Sequence, residues 1–341
     1  MSSKMKRKRT MTIVYILLLL LLLTGCGTPE EAALPDVGSG YVDAVFEKTT
    51  DRGDAFLACG AGGRLDRIYE DGTFETIVLP MGDSDLTSIL VTEEITIVAG
   101  TSGAIAHSRD GIKFESSKGA GKEHISGLAQ FNGKFYASTQ SGKILSSADG
   151  ISWKSGEKLS DKPIIAMAAS SSYLMAVTED TDILKSEDGV TWNTQNYNTV
   201  YDGLADAQSF SNIIGTNENL YILGRTKNPD APSVMYSSDG GGLWSYVSSM
   251  ELNNRPPEEF YPLTIYSVAL FGGELLAACD SGRLLTFTDC PSCNEIVTVK
   301  NADMRCISVS DDTVLVAGDQ FEFSVLSREE LQNLSMSVNQ D

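Results

Sequence analysis

Four aspartates stand beside aromatic residues in a short motif that recurs along the chain. The motif reads SRDGIKF from Ser108, SADGISW from Ser147, SEDGVTW from Ser186 and, one residue longer, SSDGGGLW from Ser237. Carboxylates in such a setting can act as general acids or bases, or as ligands of a metal ion. The first candidates for chemistry are therefore Ser108, Asp110, Gly111, Phe114, Ser147, Asp149, Gly150, Trp153, Ser186, Asp188, Gly189, Trp192, Ser237, Asp239 and Trp244.

The spacing of the motif indicates the elements that position these residues. Short apolar stretches form a column of equivalent positions, separated by 40, 39, 39, 46, 55 and 39 residues: Ala58, Val98, Ala137, Ala176, Ile222, Ala277 and Val316. Each repeat is expected to contain four short strands joined by tight turns. One such sheet cannot bury both faces until neighbours pack against it, so a period of about 40 residues is typical of propellers. The sequence predicts an all-β fold, a seven-bladed β-propeller of four-stranded antiparallel blades.

Each repeated turn is expected to connect the third and fourth strands of a blade. Its hydroxyl and carboxylate can form hydrogen bonds with nearby backbone groups, its glycine supplies a positive φ, and its aromatic residue packs back over the hairpin. Identical turns in successive blades lie at separate places around a ring and do not converge on one substrate. We therefore interpret the four aspartates as structural, and predict no catalytic residue, no metal and no cofactor.

The motif resembles the Asp-box, or bacterial neuraminidase repeat, of sialidases and of the propeller assembly factors of photosystem II. The resemblance covers the mature chain in period and is specific in motif for blades two to five. In those families the Asp-boxes lie on the face away from the ligand site. The assembly factors imply a non-catalytic protein that holds partner proteins and is often lipid-anchored.

The sialidase part of this resemblance implies an arginine triad, a Tyr/Glu nucleophile pair and an acid/base aspartate. The family's early Phe-Arg-Ile-Pro element has no match, because the only Arg-Ile pair, Arg67-Ile68, is followed by Tyr69. The assembly factors also carry a basic patch, whereas this chain has a net charge of −20. The resemblance therefore implies a class of protein, the non-catalytic propellers, more than it implies sialidase chemistry or the specific activity of the assembly factors.

The N-terminus predicts export and lipid attachment. Basic residues precede an apolar run of 13 residues from Met11 to Leu23, which is too short to span a bilayer, and Leu23-Thr24-Gly25-Cys26 follows. This resembles a bacterial lipobox, which implies cleavage before Cys26 and diacylation of its sulfur. An uncleaved anchor or an ordinary signal peptide would also export the chain. We expect a signal at 1–26, a linker at 27–40 and one propeller at 41–341, on the cell membrane or outer membrane, facing periplasm or exterior.

The net charge limits the kinds of partner that the chain can bind. Loss of the signal takes away five basic and no acidic residues, so the net charge becomes −25, and such a surface repels nucleic acid.

Cys290 and Cys293 replace the repeated turn in blade six, and a disulfide between them is plausible in an exported protein. A redox role for this pair is the alternative. The pairing of Cys59, Cys279 and Cys306 is left open.

Three long loops around blade five are the expected binding surface. They run from Thr194 to Gln208, from Arg225 to Ser233 and from Ser249 to Leu263, and are expected on the face opposite to the repeated turns. Their aromatic and arginine residues are of the types enriched at interface anchors, and we predict a binding rim for a protein or a glycan. The rim consists of Tyr197, Tyr201, Arg225, Arg255, Phe260 and Tyr261.

The leading functional prediction is a membrane-tethered, non-catalytic scaffold or assembly factor of the bacterial cell envelope. The alternative is a glycan-directed, sialidase-like glycosidase or lectin. A glycosidase would need two carboxyl groups about 5 to 10 Å apart in the central funnel.

Overall fold

The computed structural model describes residues 39–49, 52–200, 207–216, 219–227, 232–247, 251–252, 263–289, 292–298 and 301–338. In these residues the chain forms seven sheets, built from consecutive antiparallel strands except for one added parallel strand in blade 6. The predicted seven-bladed β-propeller is confirmed.

Blades 1 to 3 each contain four strands in chain order. The innermost strand of blade 1 begins at Tyr41. The bounds are β1 (Tyr41–Glu47), β2 (Ala55–Gly60), β3 (Leu65–Tyr69), β4 (Phe74–Thr76), β5 (Leu86–Val91), β6 (Thr96–Gly100), β7 (Ile105–Ser108), β8 (Glu115–Ser116), β9 (Ile125–Phe131), β10 (Lys134–Thr139), β11 (Lys143–Ser147) and β12 (Lys154–Lys158).

Blades 4 and 5 repeat this order, with a short helix, Tyr197–Val200, after the last strand of blade 4. Their strands are β13 (Ile164–Ala169), β14 (Leu174–Thr178), β15 (Asp182–Ser186), β16 (Asn193–Asn196), β17 (Ala207–Thr216), β18 (Asn219–Thr226), β19 (Pro232–Ser237) and β20 (Ser245–Val247). The aromatic residue of each repeated turn stands immediately before the fourth strand.

Blades 6 and 7 depart from the four-stranded pattern. Blade 6 carries a fifth strand, which pairs parallel to its outer strand, and blade 7 has three strands followed by a final helix, Arg328–Val338. The strands are β21 (Glu251–Leu252), β22 (Ile265–Phe271), β23 (Glu274–Cys279), β24 (Arg283–Asp289), β25 (Ser292–Thr298), β26 (Met304–Val309), β27 (Thr313–Gly318) and β28 (Phe323–Ser327). The expectation of four strands holds for most blades but not for these two.

The core lies between the blades. The innermost strands contact one another in sequence around the ring, and β26 of blade 7 contacts β1 of blade 1. Seven apolar clusters occur in the described residues, one at each junction between neighbouring blades. All seven residues of the predicted column lie on the second strand of a blade and are 0% exposed. Each blade is therefore stable only because its neighbours cover both of its faces.

Two faces of the ring follow from the strand order. Turns between second and third strands, and the connections between blades, open on one side, which we call the loop face. Turns between first and second strands, and between third and fourth strands, open on the other side, which we call the turn face. No helix within the described residues is long and apolar enough to cross a membrane.

Candidate functional site

The repeated turns bind their own backbone. In each, the serine Oγ donates to the aspartate Oδ1, at 2.8 Å for Ser108, 2.9 Å for Ser147, 3.1 Å for Ser186 and 2.7 Å for Ser237. The same oxygen accepts two backbone N–H groups, for example those of Val190 and Thr191 at 2.8 and 2.7 Å for Asp188. These bonds lower the pKa of Asp110 and of Asp188 to about 2. Such carboxylates stay ionised and are poorly suited to donate a proton.

Each repeated turn also contacts the preceding blade. The carbonyl of Gly111 accepts from Arg67 of blade 1, and that of Gly240 accepts from Ser170 of blade 4, both at 2.8 Å. A Cβ on Gly150 would meet the side chain of Ile97, and one on Gly189 would meet that of Tyr136. The turns thus fasten neighbouring blades at four separate points, a contact that the sequence interpretation had confined to one hairpin.

The aromatic residues of the turns are part of the core. Phe114, Trp153 and Trp244 are buried, whereas Trp192 packs against its cluster while partly exposed. The indole N–H of Trp153 donates to the carbonyl of Gly150 at 3.2 Å, which fixes the ring over its own turn.

Other residues make the same contact where the motif is missing. In blade 1, Glu70 accepts from the hydroxyls of Ser310 and Thr313 of blade 7, at 3.1 and 3.0 Å. In blade 7, Arg328 donates to the carbonyl of Asp311, and its guanidinium carbon lies 4.4 Å from the centre of the Phe271 ring of blade 6. Sequence reasoning missed these residues because neither has the repeated spacing of serine, aspartate and glycine.

Blade 1 holds a buried ion-pair cluster next to the first repeated turn. Arg67 is 1% exposed and donates to Glu47 at 2.8 Å, to Glu75 at 3.1 Å and to the carbonyl of Gly111. The carboxylates raise the pKa of Arg67 against the opposing effect of burial. The two terminal nitrogens of Arg67, Nη1 and Nη2, are therefore committed to this blade junction.

The predicted rim is only partly within the described residues. Tyr197 is 2% exposed and packs edge-to-face on Phe210, with ring centroids 5.8 Å apart, so it belongs to the core and not to an exposed rim. Arg225 donates to the carbonyl of Leu263 at 3.2 Å and joins blade 5 to the entry of blade 6. Four rim residues lie outside the described residues: Tyr201, Arg255, Phe260 and Tyr261.

The cysteines and histidines fall into three groups. Cys59, Cys279 and Cys306 are buried and form no disulfide with one another, and burial raises the pKa of the Cys59 and Cys306 thiols. Cys26, Cys290 and the side chain of Cys293 lie outside the described part of the chain, so lipidation and the predicted disulfide stay predictions. His107 and His124 bond to Ser117 and to the Ser102 amide, and no metal-ligand cluster occurs in the described residues.

One carboxyl group on the innermost strand of blade 1 has an unusual environment. Burial raises the pKa of Asp43 to about 6, although its Oδ2 accepts the backbone N–H of Ile89 of blade 2 at 2.8 Å. The remaining groups that influence this pKa are Ser88 and a backbone amide, not a second carboxylate.

The junction of blades 7 and 1 carries a charged and aromatic cluster. Arg64 Nε donates to Asp66 Oδ2 at 2.6 Å, and the hydroxyl of Tyr41 donates to the same carboxylate. The guanidinium carbon of Arg64 lies 4.5 Å from the centre of the Phe321 ring and 5.7 Å from that of Phe74. Sequence reasoning missed Arg64, although a basic residue follows the glycine of the same turn in blades 1, 3 and 6, at Arg64, Lys143 and Arg283.

Fold and site together define a seven-bladed β-propeller whose repeated carboxylates serve the joints between blades. A family model for the DUF6242 beta propeller domain matches residues 89–208, about a third of the chain. No curated protein sequence matches the chain.

Solved structures share the fold at low sequence identity. YCF48 bound to D1 peptide is 16% identical, with a TM-score of 0.64, 86% of this chain covered and 93% of that one. YCF48 from Cyanidioschyzon merolae is 14% identical, with a TM-score of 0.65, and 87% and 98% are covered. A catalytically inactive virginiamycin B lyase from Staphylococcus aureus with quinupristin is 12% identical, with a TM-score of 0.65 and coverage of 86% and 97%. A binding protein and an enzyme thus share this scaffold, so the fold by itself selects no function.

Proposed function

We propose that this chain is an exported, lipid-anchored β-propeller that holds a protein partner in the bacterial cell envelope. The observation that carries the proposal is the combination of two features in one chain: a signal ending in Leu23-Thr24-Gly25-Cys26, and a propeller whose repeated carboxylates are bound to their own backbone. The first feature supports tethering. The second removes the most obvious candidates for catalysis.

Protein binding is supported by the kind of molecule that shares this architecture. The solved structure of YCF48 bound to a D1 peptide is a propeller holding a segment of another protein. This chain resembles it in fold over most of its length, which supports, at a coarse level, a scaffold that engages a polypeptide.

The loop face is the proposed binding face. The turn face carries the repeated turns, whose serine and aspartate side chains are already bonded, whereas the loop face carries the Arg64 cluster. The sequence also predicts the long loops around blade five on the loop face. The proposed binding residues on this face are four that lie outside the described part of the chain: Tyr201, Arg255, Phe260 and Tyr261.

A glycan-directed hydrolase is the second candidate function, and Asp43 is the observation that favours it. A carboxyl group whose pKa is raised to about 6 has the protonation behaviour of a general acid near neutral pH. Replacement of Asp43 by asparagine in an assay with sialoside and neutral glycoside substrates tests this candidate. Activity in the wild-type chain that the variant loses would favour the hydrolase over the scaffold.

Metabolic labelling with palmitate tests the tether. The wild-type chain should carry label and sediment with membranes, and Cys26→Ser should lose both the label and the membrane fraction. An exported but unlabelled wild-type chain would contradict lipid attachment.

Crosslinking in intact cells followed by affinity purification tests the partner. Alanine at Tyr201, Arg255 and Tyr261 should reduce the captured partner without lowering the melting temperature. A matched triple variant on the turn face, with alanine at the exposed residues Lys113, Glu115 and Lys154, should capture as much partner as wild type. Equal capture by both triple variants would contradict the rim.

A further inference from the structure

The last blade has an open edge in the described part of the chain. Blades 1 to 6 each have a fourth strand beside the third, whereas β28 of blade 7 has a hydrogen-bonded neighbour on one side only, β27. All five residues of β28 are partly exposed, while four of the five residues of β3 in blade 1 are buried. The third strand of blade 7 therefore presents an edge that its counterparts cover.

The register identifies the backbone groups on this edge. Gly318 N donates to Glu322 O at 3.0 Å, so Glu322, and by alternation Ser324 and Leu326, direct their backbone groups toward β27. Phe323 and Val325 direct theirs outward. The next outward residue, Ser327, confirms this alternation because its N–H is bound by Glu330 Oε2 at 2.8 Å.

The equivalent groups are paired in other blades. Leu65 in blade 1 and Ile105 in blade 2 occupy the position of Phe323, and their carbonyls accept N–H groups of Ile77 and Ser117, both at 2.8 Å. No described residue makes such a bond with Phe323 or Val325. A row of unpaired backbone groups of this kind is a template for an added strand.

The final helix does not fill the position. A reciprocal capping box between Ser327 and Glu330 turns the chain out of β28, and the helix then lies against β25 of blade 6. Its buried residue, Leu331, joins the apolar cluster between blades 6 and 7. The final helix therefore leaves uncovered the opposite flank of β28, which faces blade 1.

That flank is apolar along its length and basic at one end. Phe323 packs edge-to-face on Phe74 of blade 1, with centroids 5.8 Å apart, and Phe74 is still 48% exposed. Arg64 lies over Phe74 and Phe321, toward the loop face, and its side chain is 32% exposed. Phe321 has a φ of +58°, a strained conformation that places its ring under the guanidinium.

We propose that this edge is a docking site for an extended segment of a protein partner, which adds to blade 7 as its fourth strand. The segment pairs antiparallel to β28, places apolar side chains against Phe74 and Phe323, and ends with a carboxylate near Arg64. This polarity follows because an antiparallel strand that starts opposite Ser327 ends opposite Phe323, where Arg64 lies. A guanidinium suits a carboxylate through charge-assisted hydrogen bonds. The site rests on the proposed protein-binding function but not on the lipid tether.

Amide hydrogen exchange on the intact mature chain is the first test. Without a partner, the amide of Val325 should exchange at least about tenfold faster than those of Arg67 and His107, which occupy the equivalent position and pair with a fourth strand. Equal protection would mean that the edge is already covered and would overturn the proposal.

Peptide selection is the second test, with random seven-residue peptides ending in a free carboxylate as the probe. Selected peptides should alternate apolar and polar residues, and their binding should protect the amides of Phe323 and Val325. Amidation of the C-terminus should weaken binding about tenfold. Arg64→Gln should weaken it similarly, whereas Arg283→Gln, the matched arginine in blade 6, should leave it unchanged.

Two changes to the backbone separate strand addition from other modes of binding. Val325→Pro removes an N–H that β27 does not use and should abolish binding. If this variant fails to fold, N-methylation of the peptide at alternate residues should abolish binding to the wild-type chain instead. Failure to select any peptide, or binding that tolerates both changes, would overturn the proposal. A dimer that Val325→Pro dissolves would overturn it in favour of a second copy of this chain. If the edge fails these tests while the rim variants still lose partner capture, the scaffold function stands without it.

Discussion

Blades 2 to 5 and the arc formed by blades 6, 7 and 1 solve the same joining problem with different residues. In blades 2 to 5 a serine–aspartate–glycine turn binds its own backbone and leans on the preceding blade. In blades 1 and 7 a glutamate and an arginine reach across the junction instead: Glu70 accepts from Ser310 of blade 7, and Arg328 lies over the Phe271 ring of blade 6. The first device depends on local spacing and recurs, while the second depends on long side chains and is particular to each place.

The two regions also differ in whether the third strand of each blade has a fourth strand beside it. In blades 2 to 5 every third strand has a fourth strand beside it. In the arc of blades 6, 7 and 1, which we call the closing arc, blade 7 lacks a fourth strand in the described residues. The Arg64 cluster lies at the junction of blades 7 and 1 in this arc. The regular half therefore supplies rigidity, and the irregular arc supplies the features from which we infer binding.

The largest expected effect is at the joint between the two regions. Arg67→Ala leaves the buried Glu47 with only the longer, 4.0 Å contact to Arg52 and also removes the donor to Gly111, so the free energy of unfolding should fall by about 3–5 kcal/mol. Urea denaturation measures this loss. Lys113→Ala, which breaks an exposed pair with Glu115, should change stability by less than about 1 kcal/mol. Similar values for the two variants would contradict the cluster's role.

A smaller effect should isolate the contact between a repeated turn and its neighbour. Gly189 has a φ of +71°, and a Cβ there would collide with Tyr136 of the preceding blade. Gly121 has a similar φ of +68° with open space around it, so Gly121→Ala should cost only about 1–2 kcal/mol of backbone strain.

Gly189→Ala should cost about 1–3 kcal/mol more than Gly121→Ala, because it adds overpacking to the same strain. Thermal and urea denaturation of both variants measure the difference. Equal losses would show that the turn does not bear on the neighbouring blade.

The two regions should also respond to pH with opposite sign. The folded chain holds a proton on Asp43 up to a pKa of about 6, whereas an unfolded aspartate releases it near its ordinary value of 3.8. The folded state therefore binds more protons between these values, and stability should fall as the pH rises from about 4 to 6. Asp43→Asn should remove this decline in chemical denaturation. An unchanged slope would contradict the burial of that carboxyl group.

Asp110 should give the smallest effect and the reverse slope. Its pKa is lowered to about 2 by backbone hydrogen bonds, so the unfolded state binds more protons between about pH 4 and pH 2. Its contribution is present above pH 4 and is lost as the pH falls through this window. The difference in stability between wild type and Asp110→Asn should shrink across it, and a difference that grows would contradict the hydrogen-bonded turn.

The fold was largely predictable because it repeats. The column at Ala58 and its equivalents reports burial between two blades, and seven occurrences fix the number of blades. The bonds within the turns were also predictable, since Ser147, Asp149 and Gly150 are close in sequence.

The joints of the closing arc were not predictable, because they depend on contacts between residues that are far apart in the sequence. Glu70 is more than 200 residues from its partner Ser310, and nothing local marks either residue for the other. Tyr197 shows the converse error, because a tyrosine in a long loop has the composition of an interface anchor, yet here it packs on Phe210 in the core. Side-chain type indicates what a residue can do, but the packing of distant segments decides whether it is exposed.

Photo-crosslinking in intact cells tests most directly whether the closing arc binds a partner. A photo-crosslinking amino acid is placed at Ser324, on β28 of blade 7, or at Ser116, on the outer strand of blade 2. We predict a discrete covalent adduct with another protein from Ser324 and none from Ser116. Adducts of equal yield from both positions, or from Ser116 alone, would contradict the assignment of binding to the irregular arc.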